Sequence, residues 1–359
     1  MKFLAVIVLL FVVLNSDLNA CTGITMKVKG KKAIFARTLE FGKGVLKYQV
    51  SFIPRNHQFT GKTPDGKPGM KWKGKYAHVG FTPQKGIEIF SGLNEKGLTY
   101  DGFYLPGYTE YQKYTPDKSN KTIAPVELGS WILSNFSSVK EIRNNIDKVL
   151  VAPVILEQLN FVPPMHSMIV DKEGNSIVIE YIKGKAVIFD NTLGVITNAP
   201  NFDWHITNVK NYINLRAADA KPVVIDGVKF KGLGCGSGGL GLPGDLTPPS
   251  RFIRALFMSN SSIECSNEKQ TVLHAFHILN NFDIPEGTVI EDFEGKIIPE
   301  VTEWTSASDI NNLKFYFHLR NNRQIRVVDL KKLDLDAPKV KVFNLPKEEN
   351  ILDISKDFK

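Results

Sequence analysis

The feature that most constrains this chain is the junction between Ala20 and Cys21, where an apolar leader gives way to a strand-like stretch. Lys2 opens the leader, residues 3–14 are unbroken apolar sequence, residues 15–19 are mostly polar and Ala20 is small. Charge, apolar run and small-residue cut site together spell a secretory signal peptide. A bilayer span needs about 20 apolar residues and this run is shorter, so removal of residues 1–20 and export of the rest are expected. Cutting after Ala20 leaves Cys21 with a free α-amine beside its own thiol. The two groups titrate near 8 and 8.5, which places base and nucleophile on one residue and makes a histidine partner unnecessary. Leu18-Asn19-Ala20-Cys21 also approximates a lipobox, in which the thiol is acylated and serves as an anchor. The leader alone leaves both outcomes open.

Downstream patterning says how such a terminus would be held. Thr22–Val28 and Lys32–Arg37 flank Lys29-Gly30-Lys31, a hairpin whose first strand begins at the nucleophile. A sheet fixes an end that would otherwise fray. Further strands are expected at Gln49–Pro54, His78–Phe81, Ile87–Phe90 and Leu98–Tyr104, with Gln58–Lys75 an exposed loop rich in Gly, Pro and Lys. Helices are expected at Pro125–Phe136 and, behind Ser138-Val139-Lys140-Glu141, through Leu150. Strand character returns at Ser167–Val170, Ser176–Ile182 and Lys185–Phe189, then helices at Asn201–Leu215, Ser250–Met258 and Gln270–Leu279 around a Gly-rich stretch. Lys314–Leu319, Arg323–Leu330 and Val340–Phe343 close the chain as strands. Strands and helices come in blocks, without βαβ alternation, which predicts an α+β fold of antiparallel sheets covered by helices.

Composition excludes some functions. Charged residues make up 23% and hydrophobic ones 43%, as in a globular protein with a sizeable core. The net charge of +8 is spread along the chain without a basic run, so nucleic acid is not an expected partner. No second long apolar segment appears, so the mature chain should carry no transmembrane segment. Three cysteines leave at least one unpaired; Cys235 and Cys265 form a disulfide or remain thiols. Gly234 to Gly239 fits a dinucleotide fingerprint, but Leu240 to Gly244 follows where a helix should open. His274 and His277 share a helix face without a third ligand nearby, so no metal is expected.

Five ordered blocks carry a resemblance over nearly the whole mature chain. They are Cys21-Thr22-Gly23 with Arg37, Gly92 to Leu98, Trp131 to Phe136, Thr197 to Trp204, and Gly241 to Asp245 running into Ser250-Arg251-Phe252. In these the chain resembles the choloylglycine hydrolase and penicillin V acylase family of N-terminal-nucleophile amidases. The resemblance implies one domain over residues 21–359, a four-layer αββα sandwich of two antiparallel sheets between helix layers. It also implies cofactor-free hydrolysis of a linear, non-peptide C–N amide, and is compatible with a homotetramer. In family terms Cys21 matches the nucleophile and Arg37 the arginine whose charge would depress its thiol pKa. Asn198 matches the side-chain donor to the oxyanion, and Arg251 the second arginine near the nucleophile. Glu40 stands where the family often has an aspartate holding the α-amine. Tyr104 stands where bile-salt hydrolases tend to have asparagine and penicillin V acylases tyrosine, and its N–H is the second oxyanion donor by analogy. This residue favours an aryl- or fatty-acyl amide over a conjugated bile salt, among candidates that include penicillin V and N-acyl homoserine lactones. A second function class stays in view: a secreted or lipid-anchored protein on the same scaffold, binding acyl ligands without turnover.

Overall fold

A computed structural model describes residues 20–293, 296–346, 348 and 351–358; all of the leader but Ala20 lies outside them. Two large antiparallel sheets dominate. The first runs in the order Val195–Ile196, Thr22–Val28, Lys31–Gly42, Lys296–Asp309, Lys314–Leu319 and Asn322–Asp329, with Ile290–Phe293 added to the long strand. The second runs Lys185–Asp190, Ser176–Ile182, Met165–Val170, Thr99–Tyr104, Ser91–Asn94, His78–Pro83, Tyr48–Ile53 and Lys341–Asn344. Lys29 and Gly30 both take positive φ, 52° and 77°, so the first hairpin turns tightly where its glycine allows.

The sheets face each other through aromatic and polar pairs. Trp304 of the first stacks on Phe81 of the second with ring centroids 3.9 Å apart, and the Ser91 and Ser306 hydroxyls meet at 3.0 Å. Helix α1 (Leu128–Asn135) packs outside the second sheet and is followed in the chain by α2 (Val139–Arg143), while α3 (Phe202–Asn208) packs against the helix that begins at Pro248. Helices α4 (Pro248–Ser261) and α5 (Glu268–Leu279) cover the first sheet over Thr22–Val28. The result is the αββα sandwich, and it buries the start of Thr22–Val28 between layers. At that start Gly23 has no space for a side chain: a Cβ would lie 2.8 Å from both Ile196 Cγ2 and the Phe103 ring.

Several expectations need correction. Gln58–Lys75 is not a loop but a hairpin, Gln58–Lys62 with Pro68–Lys73, because Phe59 and Trp72 stack at 4.8 Å and hold it. The strand expected at Ile87–Phe90 begins later, at Ser91. Ser138 caps Glu141 N–H as foreseen, yet α2 ends at Arg143, well short of Leu150. The Asn201–Leu215 helix is regular only to Asn208 before tightening into a 3-10 turn. Of the two states left open for Cys235 and Cys265 the structure has the free thiols, and Cys21 is free as well. Among the described residues no helix is long and apolar enough to cross a membrane, and no cluster of metal-ligating side chains occurs.

Candidate active site

Cys21 stands immediately before the inner strand Thr22–Val28 and is 3% exposed. Its nitrogen donates to Asn198 Oδ1 at 2.6 Å, and its carbonyl accepts from Arg251 Nη1. Arg251, on α4, is wholly buried and works as a clamp. It also donates to Thr22 Oγ1 at 2.9 Å, to Asn198 Oδ1 at 2.8 Å and, through Nε, to the Leu246 carbonyl at 2.9 Å. Two donors on Asn198 Oδ1 orient the amide group, and its Nδ2 donates to the Tyr104 carbonyl at 2.9 Å. One N–H of that nitrogen remains for another acceptor, since an amide NH₂ carries two.

Arg37 lies on Lys31–Gly42 and reaches across the sheet interface. Its Nη1 donates to the Gly102 carbonyl and its Nε to the Thr38 carbonyl at 3.1 Å. The guanidinium sits over Phe103 at 4.1 Å from the ring centroid, a cation–π contact. Nη2 has no protein partner. The cation acts on Cys21 as expected in sign but not in outcome. Burial pushes the Cys21 thiol up to about 11, and the opposing pull of Arg37 does not overcome it. Sequence reasoning saw the charge and could not see how deeply the sulfur is buried.

Glu40 is wholly buried with Thr302 Oγ1 donating to its Oε1 at 3.0 Å, while its Oε2 finds no partner. The Cys21 nitrogen goes to Asn198 and not to this carboxylate. Burial raises Glu40 to about 8, against the pull of Arg251, and burial raises the neighbouring Glu300 in the same direction. Because the folded chain holds a proton that the unfolded chain releases near 4.5, this part of the stability is present at acid pH and fades as pH climbs from about 4.5 to 8. In protein made with residues 1–20 in place, Glu40→Gln should therefore flatten that alkaline decline. Thermal midpoints of parent and variant across this window check it; parallel curves would refute it.

Together these residues close around Cys21, and sequence reasoning had named all six: Cys21, Arg37, Glu40, Asn198, Arg251 and Tyr104. It missed Glu300, Trp304 and Thr302, which lie on a strand it did not foresee, and Tyr48, which lies at the start of one it did. Tyr104, Tyr48, Phe41, Leu46, Leu156 and Met165 wall an apolar slot beside the sulfur. The arrangement gathers an oriented amide donor and two guanidinium groups around a buried thiol that itself borders the slot, which suits acyl transfer.

Comparison with known proteins bears directly on this. The sequence profile described as linear amide C–N hydrolases, choloylglycine hydrolase family, matches residues 21–343. The chain belongs to the choloylglycine hydrolase family. It is 32% identical to a bile salt hydrolase/transferase of Clostridium perfringens over 92% of this chain and 98% of that one. A bile salt hydrolase/transferase of Lactiplantibacillus plantarum is 37% identical over 76% of this chain and 83% of the other. Among solved structures, a mutant of the Clostridium perfringens conjugated bile acid hydrolase superposes with TM-score 0.78 at 30% identity, covering 93% of this chain and all of that one. The penicillin V acylase of Agrobacterium tumefaciens shares the fold at TM-score 0.71 and 23% identity, covering 90% and 91%. This choloylglycine hydrolase family member is thus an amide hydrolase of the bile salt hydrolase and penicillin V acylase type.

Proposed function

We propose that the working enzyme is an exported single amidase domain that begins at Cys21. In the uncleaved chain the Cys21 nitrogen is a peptide amide whose lone pair is delocalised and takes up no proton. Removal of residues 1–20 turns it into a primary amine at the same place, beside its own sulfur. The carrying observation is the grip on Cys21, with Asn198 on its nitrogen and Arg251 on its carbonyl. That grip keeps the new terminus in register. The family profile's match from residue 21 supports the same boundary.

In this reading the α-amine takes the thiol proton as sulfur attacks the substrate carbonyl. Asn198 Nδ2–H and the Tyr104 backbone N–H hold the oxyanion, Arg37 and Arg251 favour the thiolate, and Asn198 Oδ1 keeps its hold on the amine as it takes up the proton. The proton then passes to the leaving amine, and water cleaves the thioester to return free Cys21. The substrate is a linear amide with an acyl group suited to an apolar slot. Penicillin V, conjugated bile salts and N-acyl homoserine lactones all present one, and Tyr104 favours the aryl or fatty acyl kind. A homotetramer is part of the proposal. Val223–Ile225 and Val228–Phe230 form a hairpin turned by Asp226-Gly227 and exposed at every strand position, and a partner chain would cover it.

The mass of the protein recovered from the exported fraction tests these points. A chain starting at unmodified Cys21, with a native mass four times its own, is expected. A lipid adduct on Cys21, or a functional protein retaining the leader, would defeat the mechanism and leave a binding protein for acyl ligands. A single-chain native mass would remove the tetramer alone.

A further inference from the structure

Two phenols wall the apolar slot beside Cys21, and neither finds a hydrogen-bond partner in the protein. Tyr104 is 8% exposed and its hydroxyl is buried and unpaired; the Tyr48 hydroxyl is in the same state. Buried hydroxyls in native proteins are nearly always bonded, so an orphan in a functional cavity calls for an account. Two in one cavity call for a shared one. Their rings are not free to swing away. Tyr48 is held edge-on by Phe90 and Trp304 at 6.2 and 6.0 Å, and Tyr104 by Phe41 and Phe161 at 5.6 and 6.4 Å. Glu303 lies toward Tyr48 but outside hydrogen-bond reach. Burial keeps both phenols neutral, so each retains a donor as well as an acceptor.

The size of the slot sharpens the point. Its free volume is about 30 Å³, room for a water molecule or two. An acyl chain widens this space as it enters and displaces that water, so solvent no longer serves the two hydroxyls. A plain hydrocarbon chain would strand them, and a site whose polar groups are left unpaired rejects the analogue that strands them. Both rings line the slot together with Cys21, so the unmet demand sits near the carbonyl end of the acyl group.

We infer that Tyr48 and Tyr104 read an oxygen atom placed within the first few atoms of the substrate's acyl group, an ether, keto or hydroxyl oxygen, and that the enzyme selects such acyl amides over their all-carbon isosteres. This rests on the amidase reading and narrows its substrate class. Tyr48, which nothing in the sequence singled out, becomes a specificity residue.

The test uses a matched pair in which oxygen replaces one methylene, phenoxyacetyl anilide and hydrocinnamoyl anilide, with the mature enzyme. The ratio of kcat/KM should favour the phenoxyacetyl compound by about tenfold or more, the range that one well-met buried polar contact provides. In Tyr48→Phe, and further in Tyr48→Phe/Tyr104→Phe, the ratio should fall toward one, partly because the hydrocinnamoyl compound improves. That gain is a readout that simple damage to the site would not produce. Binding of the two anilides to Cys21→Ala, followed by calorimetry, should show the same preference without turnover. Equal kcat/KM values in the parent, or a preference that survives in the double phenylalanine variant, would overturn the inference and leave the amidase standing. Preferential binding to Cys21→Ala with no turnover in the parent would instead overturn the amidase reading while supporting the oxygen-reading slot.

Discussion

Cys21→Ala should lose hydrolysis of an acyl anilide by at least about a thousandfold, on the scale seen when a nucleophile is removed from a catalytic unit. Its fold should be untouched. The Sγ atom makes one polar contact, a 3.8 Å approach to the Glu40 carbonyl, whereas the bonds that seat the residue run through its nitrogen and carbonyl to Asn198 and Arg251. Alanine keeps those. A thermal midpoint within a few degrees of the parent, with kcat/KM at background, is the expected pair of results. A variant that still turns over would show that sulfur is not the attacking atom. In the parent, quenching a single turnover with an activated acyl substrate should leave the acyl group on Cys21 as a thioester, visible by mass.

Asn198→Ala is expected to lower kcat by about 10²–10³, the usual consequence of losing one preorganised oxyanion donor, with a smaller change in KM. This substitution is not neutral for the fold. It strips the acceptor from Arg251 Nη2 and from the Cys21 nitrogen, and each buried group left without its partner costs about 1–3 kcal/mol. Circular dichroism at the assay temperature separates the two effects: a folded variant that still forms the thioester, but slowly, fits the proposed role. A loss below tenfold in a folded protein would move the oxyanion donor elsewhere.

Much of this site was legible in the order of residues alone, and the reason is local. Cys21, Asn198 and Arg251 each sit inside a short block with buried neighbours, Arg37 follows the first block at a fixed distance on the paired strand, and Gly23 shows how little room such a block leaves. Glu300 and Thr302 were not legible. Their strand, Lys296–Asp309, carries Pro299 within it and alternates poorly because Glu300 is buried, so periodicity fails where burial is polar. The hairpin at Val223–Phe230 was legible and went unseen: Asp226-Gly227 between apolar triplets is a strong turn signal, and both residues take positive φ, 49° and 82°. At Gln58–Lys75 the misleading cue was composition, since Phe59 and Trp72 outweigh the glycines and prolines around them. Depth was the remaining gap. Nothing in the spelling of Cys21 and Arg37 shows that burial would outweigh a nearby cation at the thiol.

The pairing of Lys31–Gly42 with Lys296–Asp309 joins Ile34 to Asp309 and Thr38 to Thr305. Translated into the order of synthesis, Lys31–Gly42, the hairpin partner of the strand that follows the nucleophile, is made among the first and its own neighbour on the other side among the last. Contacts this distant along the chain close slowly. Until the ribosome has passed residue 309, the hairpin that begins beside Cys21 therefore lacks the strand that Lys31–Gly42 pairs with, even though Asn198 and Arg251, which hold Cys21 itself, are already made. Ribosome-stalled fragments that end before Lys296 should consequently be hydrolytically silent however their leader is processed, which places the onset of activity at chain completion.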